Sequence, residues 1–262
     1  MRYQRTAAHI SLGTFVVAAA TALTASWGTR LSFWKYETGF EILYPAIGLG
    51  ALAALAGAYW LAAALHNNDS TGWRMGFAGL IGAIVLLYFP LSVEHRAWDA
   101  PPIHDISTDV GNAPQFKALL PLRAGASNGP EYDGQKKVML KGKITTVAEL
   151  QKLAYPDIKP VGKLLNPHND PKVDSKAILF WHAFERAKHM GWNIVSFDEK
   201  TGMIEATATT LWFGFTDDIA VRVISGGTMG ARLDMRSKSR VGTADYGRNA
   251  ERREAFAKRV QS

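Results

Sequence analysis

The sequence predicts an α+β protein: three N-terminal transmembrane helices, then a soluble domain whose antiparallel sheet of two hairpins is flanked by helices. Three observations carry this reading. Residues 1–96 hold only six of the chain's 30 Lys and Arg (Arg2, Arg5, Arg30, Lys35, Arg74, Arg96) and four of its 23 acids (Glu37, Glu41, Asp69, Glu94). That leaves +5 of the formal net charge of +7 in 97–262, a division between a membrane part and a soluble part. The first part contains three long apolar runs, and the second shows the order helix, hairpin, hairpin, helix, which builds an antiparallel sheet with helices on one face.

The apolar runs are about 9–27, 42–65 and 75–93, each near the ~20 residues that a bilayer-crossing helix needs. Three such runs in succession have no polar face to turn to water. The first, "HISLGTFVVAAATALTASW", follows Arg2 and Arg5 and could be read as a signal peptide, but its apolar run exceeds a usual h-region and an uncleaved helix is favoured. The flanking cations balance, Arg2, Arg5 and Arg74 against Arg30, Lys35 and Arg96, so loop charge does not set the orientation. The basic start before an apolar run favours the N-terminus inside. Three crossings then place 97–262 in the periplasm, on a multi-pass protein of the inner membrane. Trp27, Trp34, Trp73 and Trp98 fall at or just beyond the span boundaries, where interfacial anchors belong.

In the soluble part, "DAPPIHDISTD" (99–109) leaves the membrane as extended chain, because its prolines forbid a continuing helix. "RAGASNGPEYDGQ" (123–135) is turn-rich loop. "TTVAELQKL" begins a short helix capped by Thr145 or Thr146, with Glu149 as the capping-box partner. "AYPDIKPVGKLLNPHNDP" is extended and broken by proline. "DSKAILFWHAFERAKHMG" is a helix expected to bury Ile178, Trp181, Ala183 or Phe184, and Ala187, and to stop at Gly191. "NIVSF" and "MIEATATT" form the first hairpin; "DDIAVRVI" and "ARLDMRSKSRVG" form the second across "SGGTMG". From Asp245 onward the chain reads as a helix with Ala250, Phe256 and Val260 inward, despite Gly247.

The second hairpin invites a charge argument. Its last strand alternates: Met235, Ser237, Ser239 and Val241 on one face; Asp234, Arg236, Lys238 and Arg240 on the other. Pairing Arg222 with Asp234 and Asp218 with Lys238 satisfies charge on one face and puts Val221 against Met235 and Val223 against Leu233 on the other. A register shifted by two would oppose Arg222 to Arg232, a costly like-charge pair. The first register is therefore expected, with Arg222, Asp234, Asp218 and Lys238 as structural ion pairs. It leaves Arg232, Arg236 and Arg240 without assigned acids. These three are the candidate anion-binding residues, since Arg suits carboxylate and phosphate.

Signals for other chemistry are weak. The chain has no Cys and no G-x-S-x-G elbow. His104, Asp105 and Ser107 are suitable residue types, but close sequence neighbours rarely converge into a triad, and a polar docking loop is the plainer reading. His182 and His189 lie two helical turns apart, and His168 with Asp170 sit in a proline-rich stretch, so no metal is expected. "SGGTMGA" lies between antiparallel strands, where a phosphate loop would need a following helix. "GLGALAALAG" lies within a membrane span, where small residues permit close helix packing. No cofactor is expected.

"PPIHDISTD", "AYPDIKP", "IEATATTLWFGFTDDIAVRV" and "DMRSKSRVGTADYGRNAERREAF" together resemble the domain-of-unknown-function family 1499, over about 100–260. The resemblance implies a membrane-anchored domain and brings no activity, substrate or catalytic residue. The expected function is a membrane-anchored extracytoplasmic binding or assembly module, recognising an anionic lipid, a glycan or an acidic protein partner. A membrane-surface hydrolase or transferase is the runner-up, and an accessory structural subunit of a membrane complex is the third. The bilayer is the expected partner, nucleic acid is not, and the oligomeric state stays open.

Overall fold

The computed structural model describes residues 2–140, 142–164, 174–226 and 230–261. The chain divides into two compact units, 1–98 with 211–214, and 99–210 with 215–262.

The first unit contains α1 (Arg2–Arg30), α2 (Tyr36–Asn67) and α3 (Trp73–Asp99). All three are long and apolar enough to cross a membrane. Small residues let them approach closely. A Cβ on Gly57 of α2 would lie 2.7 Å from Leu80 of α3 and 2.8 Å from Ser11 of α1, and one on Gly79 would strike Ser11 at 2.4 Å. Ser11 Oγ donates to the Ala53 carbonyl at 2.9 Å, a side-chain bond between helices. Trp60 is buried against Gly76 and donates from Nε1 to the Thr71 carbonyl. Trp27 and Trp73 are exposed near helix ends; the side chain of Trp98 lies outside the described residues.

The second unit is α+β. Its sheet has β5 (Asn193–Asp198), β6 (Met203–Thr209), β7 (Thr216–Ser225) and β8 (Ala231–Ser239) as the two expected hairpins. Two short strands, β1 (Asp105–Ser107) and β4 (Val161–Leu164), share the position on the far side of β8, so the order is β1-β8-β7-β6-β5 with β4 also on β8. All pairings are antiparallel. The β7–β8 register opposes Arg222 to Asp234, Asp218 to Lys238, Val221 to Met235 and Val223 to Leu233, as charge complementarity requires. A separate hairpin, β2 (Lys137–Leu140) and β3 (Lys143–Thr146), leads into α4 (Val147–Ala154), which Thr146 and Glu149 close with a capping box.

One sheet face carries Ile219, Val221, Val223, Leu233 and Met235 against α5 (Ser175–His189) and α6 (Arg248–Gln261). Two expectations need correction there. The inward stripe of α5 is Leu179, Phe180, Ala183 and Ala187, while Ile178 and Trp181 are 46% and 42% exposed. Trp181 turns instead to Phe184 and Phe197, ring centroids 5.5 and 6.2 Å away, at the edge of the sheet. The last helix begins at Arg248 because Tyr246 and Gly247 are both left-handed (φ 52° and 80°). Asp245 caps it by accepting from the N–H groups of Gly247 and Asn249. Ala250, Phe256 and Val260 are buried as expected.

Candidate functional site

The other face of the sheet is polar, yet buried. Alternation along β8 puts Arg232, Asp234, Arg236 and Lys238 there, with Arg240 just beyond the strand, while Met235, Ser237 and Ser239 turn to the helices. The segment from Asp105 to Gln135 supplies the groups that cover this face. Phe116 and Leu119 pack on Ala220. Glu205, itself buried, accepts from the N–H groups of Lys117, Ala118 and Leu119 at 2.9–3.0 Å and pins the segment down.

Each of the three arginines finds an acid distant in sequence, and Arg232 also finds Asp234 two residues along its own strand. Arg236 is fully buried and forms a fork on Asp105, Nε to Oδ1 and Nη2 to Oδ2, both 2.9 Å. Nη2 also reaches the carbonyls of Pro130 and Glu131, Nη1 that of Pro114, and the guanidinium stacks 4.4 Å from the Phe116 ring centroid. Arg240 forks onto Asp218 at 2.8–3.1 Å. Arg232 donates to Asp234 at 3.0 Å and to Asp109 at 2.7 Å, with 43% of its side chain exposed. The sequence reading assigns these three no acid; the structure supplies Asp105, Asp109, Asp218 and Asp234.

The structural pairs are partly as expected. Arg222 donates to Asp234 at 2.8 Å. Asp218 and Lys238 are opposite in register but do not pair. Lys238 Nζ turns to Asp133 (2.9 Å), Asp105 (3.3 Å) and the Glu131 carbonyl (2.7 Å). Asp218 is taken by Arg240 and by the buried Arg123. Two groups from the loop, Arg123 and Asp133, thus displace the cross-strand pair. Arg240 forks onto the Asp218 carboxylate, which a lysine cannot do, and Arg123 Nη1 donates to the same group.

His104, Asp105 and Ser107 do not form a relay. Asp105 is committed to Arg236 and Lys238. Ser107 Oγ donates to the Asp109 carbonyl at 2.9 Å. His104 Nε2 lies 3.0 Å from Asp133, and its Nδ1 lies 3.2 Å from the Thr243 carbonyl. Nucleophile, base and acid each have a different partner. His182 Nε2 accepts from Arg186 Nε at 3.1 Å. His168 and Asp170 lie outside the described residues, as do 227–229 of the "SGGTMG" turn. Among the described residues, no group of three His, Asp or Glu could hold a metal ion.

The electrostatics of this face are those of a filled network. Burial opposes ionisation of Asp109, but the N–H groups of Asn112 and Gly111 together with Arg232 outweigh it and hold its carboxyl below the usual range. Burial likewise opposes ionisation of Asp133, and His104 and Lys238 overcome it to hold that carboxyl low. An external anion would have to displace an internal carboxylate to reach Arg236 or Arg240.

Two surfaces that the sequence reading did not single out are open. At the sheet edge, β5 pairs only with β6 among the described residues. A groove of about 450 Å³ runs along it, lined by Phe184, Lys188, Ile194, Val195, Ser196 and Phe197. The β2–β3 hairpin presents exposed Met139 and Ile144. Exposed aromatic residues two or three turns from a strand of free edge are the sequence signal for the groove, but the pattern was absorbed by the helix stripe.

A family model described as "Protein of unknown function (DUF1499)" matches residues 105–260. No curated protein and no solved structure matches the chain.

Proposed function

The chain belongs to the DUF1499 family of proteins of unknown function, and from that premise we propose that it is a membrane-anchored binding or assembly module. Its soluble unit lies on the periplasmic side of the inner membrane and recognises an extended, acidic segment of a protein partner.

The observation that carries this reading is the groove between β5 and α5. An edge strand offers unpaired backbone N–H and C=O groups to an added strand, with pockets beside it for alternate side chains. Phe197, 51% exposed, and Phe184 make the apolar wall, with ring centroids 4.7 Å apart. Lys188 lies over the Phe184 ring at 5.3 Å. Its contact with Glu185 at 3.3 Å is an exposed pair with half of each side chain in water, worth little, so the ammonium is available to a partner's carboxylate. The register shift between Ile194 and Ser196 bends this edge and discourages promiscuous pairing, which suits a selective partner.

Photocrosslinking in intact cells tests the reading. A crosslinker at Ser196 should capture a partner that one at Lys200, in the adjoining turn, does not. A synthetic peptide of the captured segment should bind the purified full chain, and Phe197→Asp should abolish the binding. Equal capture at both positions, or peptide binding indifferent to Phe197→Asp, would overturn it. A C-terminal alkaline phosphatase fusion tests the side of the membrane; an inactive fusion beside an active cytoplasmic reporter would reverse it.

A further inference from the structure

We propose that the β2–β3 hairpin is a second contact surface, which docks on the headgroups of an anionic lipid bilayer. The proposal is independent of the groove at β5.

The hairpin is two-faced. Val138 and Leu140 turn inward onto a small core with Ile103, Val147 and Leu150. Directly paired residues share a face, so Met139 and Ile144, which are opposite one another, point away from that core. They are 70% and 68% exposed, a pair of large apolar side chains turned to solvent on a two-stranded ribbon. An aqueous protein surface gains nothing from that arrangement, since burying each would remove it from water favourably.

Exposed cations lie along the same ribbon. Lys136, Lys137 and Lys143 are exposed, and Lys137 shares the outward face with Met139. None of the three has an ion pair among the described residues. Nearby acids are already engaged. Glu149 is turned into the capping box by Thr145 and the Thr146 N–H, and Asp133 is held by Lys238 and His104. An exposed apolar pair with Lys137 on its own face and Lys136 and Lys143 exposed on the same ribbon matches the interface of an anionic bilayer: the apolar pair enters the acyl boundary while ammonium groups reach phosphates. An acidic soluble protein would satisfy the lysines but would leave Met139 and Ile144 against polar surface. The chain also carries three helices able to cross a membrane, which keeps a bilayer within the domain's reach at all times.

The chain contains no cysteine, so Met139→Cys gives a unique attachment point for an environment-sensitive fluorophore on the full protein. The labelled chain is reconstituted into vesicles of phosphatidylcholine alone or of phosphatidylcholine with phosphatidylglycerol. With phosphatidylglycerol, a lipid-borne quencher should reach the label and aqueous iodide should not; with phosphatidylcholine alone the order should reverse. Each lysine near an anionic surface should shift the docked population by about fivefold. Replacing Lys136, Lys137 and Lys143 by Gln should therefore remove the phosphatidylglycerol dependence, as should high salt. Single Gln variants give graded losses if the triple variant proves unstable. A label at Lys200 should show no lipid dependence. Equal lipid quenching in both vesicle types, or dependence that survives the Gln substitutions, overturns the proposal. Iodide protection that persists in detergent without lipid also overturns it, because a second copy or another protein segment would then cover the hairpin.

Discussion

Asn at position 105 isolates the energetic role of the charged face. Asp105 has no exposed side-chain surface, and neither do its partners Arg236 and Lys238. Asp105→Asn keeps the shape and can still accept one hydrogen bond, but it removes the charge opposed to two buried cations. It also weakens the acceptor of the Asp133 N–H, now 3.1 Å from Oδ2. Removing one partner from a buried pair costs about 3–5 kcal/mol, because an uncompensated charge stays inside. That is a large share of the ~5–15 kcal/mol that holds a typical domain together. At about 2–4 °C per kcal/mol for a chain of this size, the melting temperature should fall by roughly 6–20 °C. Intrinsic tryptophan fluorescence of the full chain in mild detergent reads the transition. Arg232→Gln, whose side chain is nearly half exposed, should cost less than ~1 kcal/mol in the same assay. The double variant Asp105→Asn with Arg236→Gln should recover part of the loss, since one of the stranded charges goes with it. If Asp105→Asn and Arg232→Gln cost the same, or the double variant is simply additive, the reasoning from burial and pairing fails.

Two further outcomes follow from single buried carboxyls. Burial pushes Asp245 up to about 6, against the hydrogen bonds from the Gly247 and Asn249 N–H groups, with Asp217 adding to the rise. Because the folded value exceeds the unfolded one of about 3.9, its contribution is fully present below pH ~4 and lost as pH rises through about 6, a decline of roughly 2–3 kcal/mol. Asp245→Asn mimics the protonated carboxyl, so urea midpoints of wild type and variant should converge in acid and separate toward neutral pH, where only the wild type carries the buried charge and is the less stable; parallel curves would refute it. Glu205→Gln replaces one of two acceptor oxygens with a donor facing the N–H groups of residues 117–119. It should cost ~1–3 kcal/mol and speed hydrogen exchange at those amides; unchanged protection there would show that the carboxylate is not what holds the segment.

Much of the frame was legible in the sequence for local reasons. The three spans follow from runs of uncharged residues. The β7–β8 register follows from charge on one face and bulk on the other, and the cap of α4 from Thr146 and Glu149. What was not legible depends on distance along the chain. Asp105, Asp109 and Asp133 sit in stretches with no periodicity, so nothing near Arg236 or Lys238 announces them. The strands β1, β4, β2 and β3 are three or four residues long, too short for alternation to register among prolines and glycines. The stripe of α5 differs from the expected one because Trp181 turns to the sheet edge and Ile178 to solvent; helical spacing alone cannot say which apolar face is the core. The onset of α6 was placed three residues early because a left-handed Tyr246 leaves no compositional trace.

The fork between Arg236 and Asp105 joins residues 131 positions apart. The acids of the covering segment are made before the cations of β8, so the polar face stays open until synthesis has passed residue 238. Closing so long a loop is slow, and its reward arrives only when β8 lies beside β1. Folding of this unit thus waits for β8, and a truncation before β8 leaves the covering acids without Arg236 and Lys238 rather than a smaller working domain.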